Sequence, residues 1–190
     1  MKKTTLAILL ILSGIASAQT SSLKAGLWDM KQIKQVLDGQ DMSAKMAAVQ
    51  EKMQESMAKM TPEQRKKMEG MMNMGAGGTI RVCISPAMAA RNAPIVDREG
   101  HCAPAKVTRS GNTSTFEFNC TNNGRTSVGS GKSTVNGDTV STSVDMTVTD
   151  AKGHHSIQSE SQMTFLGADC QGIKPADQMM KEMHGTTQQK

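Results

Sequence analysis

A chain of 190 residues with 22 Lys and Arg against 17 Asp and Glu carries a formal charge of +5, which falls to +3 without Lys2 and Lys3. So mild an excess does not call for a nucleic-acid partner. One Trp, three Phe and no Tyr leave almost no aromatic surface on which bases or sugar rings stack. Seventeen Met and four Cys are the unusual counts, and with Leu, Ile and Phe scarce the core must draw on Val and Met, with Thr at its margins.

The chain opens with Lys2 and Lys3, an apolar run from Leu6 to Leu12, and the small residues Ala16-Ser17-Ala18. That is the layout of a bacterial secretory signal peptide, with an apolar run too short to span a bilayer. No Cys follows the exit, which argues against a lipoprotein. Residues 1–18 are expected to be removed after Ala18. A single β-rich domain over 19–172 and a polar tail over 173–190 then remain, soluble in the periplasm or secreted. No later segment is apolar enough to be a transmembrane span.

Leu27 to Val36 reads as a first strand carrying the only Trp. From Asp41 to about Met72 the period becomes helical. Met42, Met46, Val49, Met53, Met57 and Met60 fall within an arc of roughly 80°, an apolar stripe, while Lys45, Glu51, Lys52, Glu55 and Lys59 lie off it. Thr61-Pro62-Glu63-Gln64 restarts the helix, with Thr61 as cap, Pro62 at the first helical position and Gln64 closing a capping box. Met68, Met71 and Met72 share one side of the second helix, and Gly75, Gly77 and Gly78 end it. Residues 41–74 are thus a Met-rich helical hairpin or bent helix inserted between the first and second strands.

Thr79 to Ile84 is the next strand, followed by a helical turn from Ser85-Pro86 to Ala90 and a loop with Pro94 and Gly100. Ala105 to Arg109 and Thr113 to Thr121 flank Ser110-Gly111-Asn112; Arg125 to Val135 and Thr139 to Thr149 flank Asn136-Gly137-Asp138. Val140, Thr142, Val144, Met146 and Val148 alternate with polar residues, and Phe116, Phe118 and Cys120 share a face. After the turn at Asp150-Ala151-Lys152-Gly153, Ile157 to Phe165 supplies another strand. A helical turn near Met179 to Met183 is expected in the tail. The fold class is mainly β with a helical insertion (α+β): an antiparallel meander or open barrel with one packed and one solvated face.

Four cysteines in an exported chain, none in a C-x-x-C pair, read as two disulfides rather than as metal thiolates or a redox motif. Spacing does not choose among the three connectivities. The pairing expected is Cys83–Cys102, closing a short Pro-containing excursion, with Cys120–Cys170 tying the C-terminal segment to the sheet.

The order of motifs then matters: Gly26-Leu27-Trp28-Asp29-Met30, the Met-rich stretch, Val82-Cys83-Ile84-Ser85-Pro86, and Cys102 leading into Arg109-Ser110-Gly111-Asn112-Thr113. Phe118-Asn119-Cys120, Gly129-Ser130-Gly131-Lys132, Gly137-Asp138 and Leu166-Gly167-Ala168-Asp169-Cys170 follow. This set resembles the bacterial exported family catalogued as domain of unknown function 3617, over nearly all of Lys24 to Cys170. The resemblance implies an exported, disulfide-bonded, β-rich protein and supplies no catalytic residues.

No enzyme, and no catalytic or cofactor-binding residue, is expected. No Ser sits in a G-x-S-x-G elbow, and Gly129-Ser130-Gly131-Lys132 lacks the spacer and following helix of a P-loop. Adjacent His154 and His155 on a strand point to opposite faces, and His101 and His184 are isolated. Lys59, Arg65, Lys66 and Lys67 are mixed with acids and read as a solvated face. The Met stripe admits two readings. Packing on the sheet, or against an envelope protein or apolar ligand, is preferred, because six apolar residues on one narrow stripe are what packing requires. The alternative is Cu(I) or Ag(I) handling by the thioethers of Met53, Met57, Met60, Met68 and Met71. A lipocalin-like carrier, suggested by Gly26-Leu27-Trp28, is the second alternative. The expected function is a non-catalytic binding or protein-interaction module of the envelope.

Overall fold

A computed structural model describes residues 22–91, 102, 106–122 and 124–179. The expected signal peptide, His101, His184, Pro94, Gly100 and Ala105 lie outside these residues, as does the tail beyond 179. In chain order the elements are β1 (Gly26–Leu37), β2 (Gln40–Asp41), α1 (Ser43–Ala58), α2 (Pro62–Met72), β3 (Ile80–Ile84), α3 (Pro86–Arg91), β4 (Lys106–Ser110), β5 (Thr113–Asn122), β6 (Arg125–Asn136), β7 (Thr139–Asp150) and β8 (Gly153–Gly167). They form one eight-stranded antiparallel sheet in the order β2-β1-β8-β7-β6-β5-β4, with β3 pairing the N-terminal half of β1. The sheet is open: β4 does not return to β1.

The strands follow from alternating side chains and two-residue turns. Ser110 faces Thr113, Asn136 faces Thr139 and Asp150 faces Gly153. Gly111 and Gly137 take φ of 59° and 58°, the left-handed backbone that tight hairpins need and Gly adopts at no steric cost. The strand β8 begins at Gly153, four residues before the expected Ile157, because β7 and β8 pair down to the turn itself. The first strand continues to Leu37, and the tiny β2 follows it, so the helical insertion lies between β2 and β3.

Cross-strand pairs share a face, so register divides the sheet. One face carries Ser, Thr, Lys, Glu and Gln and is solvated. The other is apolar, and a polar row crosses it: Gln32, Ser161, Thr142, Ser133, Ser114 and Arg109 stand opposite one another from β1 to β4. To one side of this row lie Trp28, Phe165, Met163 and Val140. To the other lie Phe116, Phe118, Val144, Met146 and Ile157.

The first of these patches is the core. Trp28, Ile84, Met88 and Val140 are buried together, with Val82, Val135, Met163, Phe165 and Ala176 packed around them. The Trp28 ring meets its cross-strand partner Phe165 at 5.2 Å between centroids, tilted by 59°. Its Nε1 donates to the Lys24 carbonyl at 2.9 Å, so burial of the indole leaves no polar atom unsatisfied. Removing such a side chain from water contributes about 1.5–3 kcal/mol. The short helix α3 covers this patch through Met88, and Ser85 Oγ, accepting from Met88 N at 3.1 Å, caps it.

Gly26 explains the opening motif. Its φ is 132°, and a Cβ there would lie 2.3 Å from the Gly167 carbonyl oxygen. Only Gly permits this backbone approach, and the two residues that follow, Leu27 and Trp28, are both fully buried.

Two disulfides form, and the expected pairing is corrected. Cys83 bonds Cys170 and Cys102 bonds Cys120. The reason is the position of β1, which lies between β3 and β8. Leu27 faces Cys83 on one side and Gly167 on the other, which brings Cys170, just past the end of β8, beside β3. Cys120 on β5 is five strands away from β3 in the sheet, and Cys102 meets it as an isolated antiparallel bridge. The chain continues to pack past residue 172: Pro175 bridges Cys83, Asp177 accepts from Ser85 Oγ at 3.0 Å, and a helical turn starts with Met179 N donating to Pro175 O.

Candidate functional site

The helical insertion forms as the spacing predicts, but its apolar stripe is not covered by the sheet. No residue of α1 is buried. Val49 is 61 % exposed and Met46 37 %; Met42, Met53, Met57 and Met60 are half-buried, as is Met68 on α2. The side chains of Lys66, Met71 and Met72 lie outside the described set. Physically, the core patch of the sheet is already occupied by α3 and Ala176, while α1 leaves from the short edge strand β2.

Polar and backbone bonds hold the insertion instead. Met42 N donates to Gln35 O at 2.8 Å at the entry. Ser43 N donates to Asp41 Oδ1 at 2.8 Å, and this bonding to Ser43 lowers the Asp41 carboxyl below its usual range. Gln50 Nε2 donates to the Gly77 carbonyl, tying mid-α1 to the exit loop. The capping box is formed: Gln64 N donates to Thr61 Oγ1 at 3.3 Å and Thr61 N to Gln64 Oε1 at 3.1 Å. Arg65, read from sequence as part of a solvated face, is half-buried and donates through Nε to Met57 O at 3.2 Å, linking the two helices. At the exit, Thr79 Oγ1 donates to Asp29 Oδ1 at 2.6 Å. Gly75 fits there because a Cβ would lie 2.4 Å from that carboxylate. An element anchored at its ends, with its apolar stripe open, is available to meet another surface.

The polar face carries a shallow groove of about 290 Å³ between β4 and β7, lined among others by Lys106, Thr108, Thr115, Glu117, Lys132 and Asp145. Lys106 stands directly opposite Glu117, and Ser130 lies between Glu117 and Asp145. With mixed charge and Phe116 as its one aromatic lining residue, it is a polar surface groove rather than an apolar ligand chamber.

The remaining sequence candidates resolve individually. Gly129-Ser130-Gly131-Lys132 is strand within β6. Its glycines sit under aromatic rings: a Cβ at Gly131 would meet Phe116 Cζ at 2.3 Å, and one at Gly129 would meet Phe118 Cζ at 2.7 Å. His154 and His155 do point to opposite faces. His154 Nδ1 lies 2.8 Å from Thr149 Oγ1, and His155 Nδ1 lies 2.8 Å from Asp38 Oδ2. Sequence reasoning missed Asp38. Its Oδ1 accepts from Ser156 N at 2.7 Å and its own N–H donates to Ser156 O at 2.9 Å, knotting the β1–β2 turn to β8. The hydrogen bond to His155, then that to Ser156, holds its carboxyl below the usual range. A signal was present: Asp38 precedes Gly39 in a turn, and both have positive φ. Among the described residues, no group of three or more His, Cys, Asp or Glu side chains converges as a metal site.

The family model described as a protein of unknown function, DUF3617, matches residues 23–170, from just before the Gly26 approach to the second half-cystine of the Cys83–Cys170 bond. The chain belongs to the DUF3617 family. No curated protein and no solved structure matches it. In DUF3617 terms, the matched span closes on Cys170, so the segment that packs Pro175 and Ala176 on the domain lies beyond it. Two disulfides in this chain are the mark of an oxidising, extracytoplasmic setting. Among the described residues no helix is long and apolar enough to cross a membrane.

Proposed function

We propose that this protein is an exported, non-catalytic interaction module of the bacterial envelope, and that the Met-bearing stripe of α1 is its docking face for an apolar surface on a protein partner. The signal-peptide layout of residues 1–18 and the two disulfides support the location, periplasmic or secreted. The single observation that carries the docking reading is that α1, which bears Met46, Val49, Met53 and Met57 of the stripe, has no buried residue. An amphipathic helix leaves its apolar face in water at a free-energy cost, which a partner relieves. Met suits such a surface because its unbranched, polarizable side chain adapts to the shape it meets.

The test is a photo-crosslinking residue at position 49 of the exported protein in its native envelope, with position 143 on the polar face as the control. A defined adduct at 49, absent at 143 and lost on Met46→Glu with Met53→Glu, is the expected result. Absence of an adduct specific to 49 refutes the docking face. The competing reading, Cu(I) or Ag(I) held by Met53, Met57, Met60, Met68 and Met71, predicts stoichiometric uptake of Ag(I) by the purified protein; the docking reading predicts none. A carrier of apolar ligands is less favoured, since the sheet is open and the groove between β4 and β7 carries mixed charge.

A further inference from the structure

The reactive sulfur of this chain is all thioether. Every cysteine is in a disulfide, the single Trp is fully buried, and there is no Tyr. A two-electron oxidant arriving at the folded protein therefore meets exposed methionine before any other easily oxidised side chain.

The methionines are not equivalent. Met88 is 6 % exposed inside the core. Met46 is six times more exposed than Met88, and Met42, Met53 and Met57 are only half-buried on a helix with no buried residue. We propose that Met42, Met46, Met53 and Met57 form a modification site at which oxidants of the hypochlorous acid class make methionine sulfoxide, turning the α1 stripe from apolar to polar while the sheet stays folded.

In net terms, the thioether sulfur loses two electrons and gains an S–O bond. The oxygen–chlorine bond of the oxidant breaks, chloride leaves with the electron pair, and the proton passes to water. Reversal needs two thiols of a methionine sulfoxide reductase: they supply two electrons and two protons, become a disulfide, and the oxygen leaves as water. The fold tolerates the change because Gln50 to Gly77, Met42 to Gln35 and the Thr61–Gln64 box hold the insertion without thioether packing. The effect on docking rests on the proposed interaction face; the modification itself does not.

Limiting hypochlorite is added to the mature protein, quenched, and the oxygen located by peptide mass spectrometry. Oxidation at Met46 and its three neighbours should run at least ~10-fold faster than at Met88, with the far-ultraviolet strand signal unchanged. Treatment with methionine sulfoxide reductases should restore the original mass. The variant with all four residues changed to Leu should consume the first oxidant equivalents markedly more slowly. Oxidation of Met88 at the same rate overturns the proposal, as does loss of strand signal with the first oxygen, or unchanged consumption by the Leu variant. If oxidation is selective yet no adduct forms at position 49 even before oxidation, the docking reading falls and the modification site stands.

Discussion

The ring of Phe116 lies across Gly131 on the neighbouring strand, so close that a Cβ at position 131 would stand 2.3 Å from Cζ of the ring. Phe118 repeats the arrangement over Gly129 two pairs further along β5. With only three Phe in the chain, each ring covers apolar sheet surface that glycine leaves flat. The Gly-Ser-Gly-Lys sequence thus belongs to packing, not to phosphate binding. Gly131→Ala should destabilise the protein by about 1–3 kcal/mol through overpacking, read as a lowered urea midpoint with unchanged slope. Adding Phe116→Leu should recover part of that loss, and strict additivity of the two changes would contradict the contact.

Gly26→Ala meets two obstacles together, a φ of 132° and the Gly167 carbonyl. The backbone conformation alone should cost about 1–3 kcal/mol for a residue with a side chain, and the strand pairs Gly26–Ile84 and Leu27–Gly167 must shift as well. Thermal unfolding should show a loss larger than that of Gly131→Ala.

The two disulfides should differ in worth. Cys83–Cys170 spans 87 residues and Cys102–Cys120 spans 18. In the chain-entropy account, removal of the first costs about 4–5 kcal/mol and of the second about 3 kcal/mol. Paired Cys→Ala variants compared by denaturant unfolding test the order. Peptide mapping without reduction should join Cys83 to Cys170, and any other partner for Cys83 would contradict the strand order around β1.

Replacing Met53 and Met57 by Leu deletes two sulfurs at nearly constant volume and should cost less than about 1.5 kcal/mol. Helical signal and the cross-link at position 49 should survive. Loss of a measurable Cu(I) affinity on this swap would instead favour the metal reading.

Asp38 gives the β1–β2 turn an acid sensitivity. Its carboxyl is held below the ordinary range by His155 and Ser156, and an unfolded Asp titrates near about 3.9. A carboxyl lowered on folding contributes stability that is fully present above the unfolded value and disappears as pH falls through the folded one. Asp38→Asn keeps a residue tolerant of the 49° φ and should flatten this acid limb. Carbon-detected NMR titration of Asp38 should place its midpoint below the ordinary Asp range.

What the sequence determined by itself is everything that depends on neighbours along the chain. Alternation of apolar and polar residues marked the strands, Gly-containing two-residue turns fixed the hairpins, Thr61 and Gln64 announced the capping box, and an even cysteine count announced two disulfides. The unlike orientations of His154 and His155 followed from a period of two. These are local effects of a few kcal/mol or less, written in spacings of one to four residues.

Only the tertiary structure decided which distant residues meet. Cysteine pairing turned on β1 entering between β3 and β8, a choice no spacing encodes. That Gly129 and Gly131 lie beneath Phe118 and Phe116 depends on the register of β5 against β6. The Met stripe was legible as a stripe, but whether the sheet would cover it depended on the Trp28 patch being occupied by α3 and Ala176. Burial is a competition among elements for one apolar surface, and its outcome is settled in three dimensions, where residues remote in sequence exclude one another from the same space.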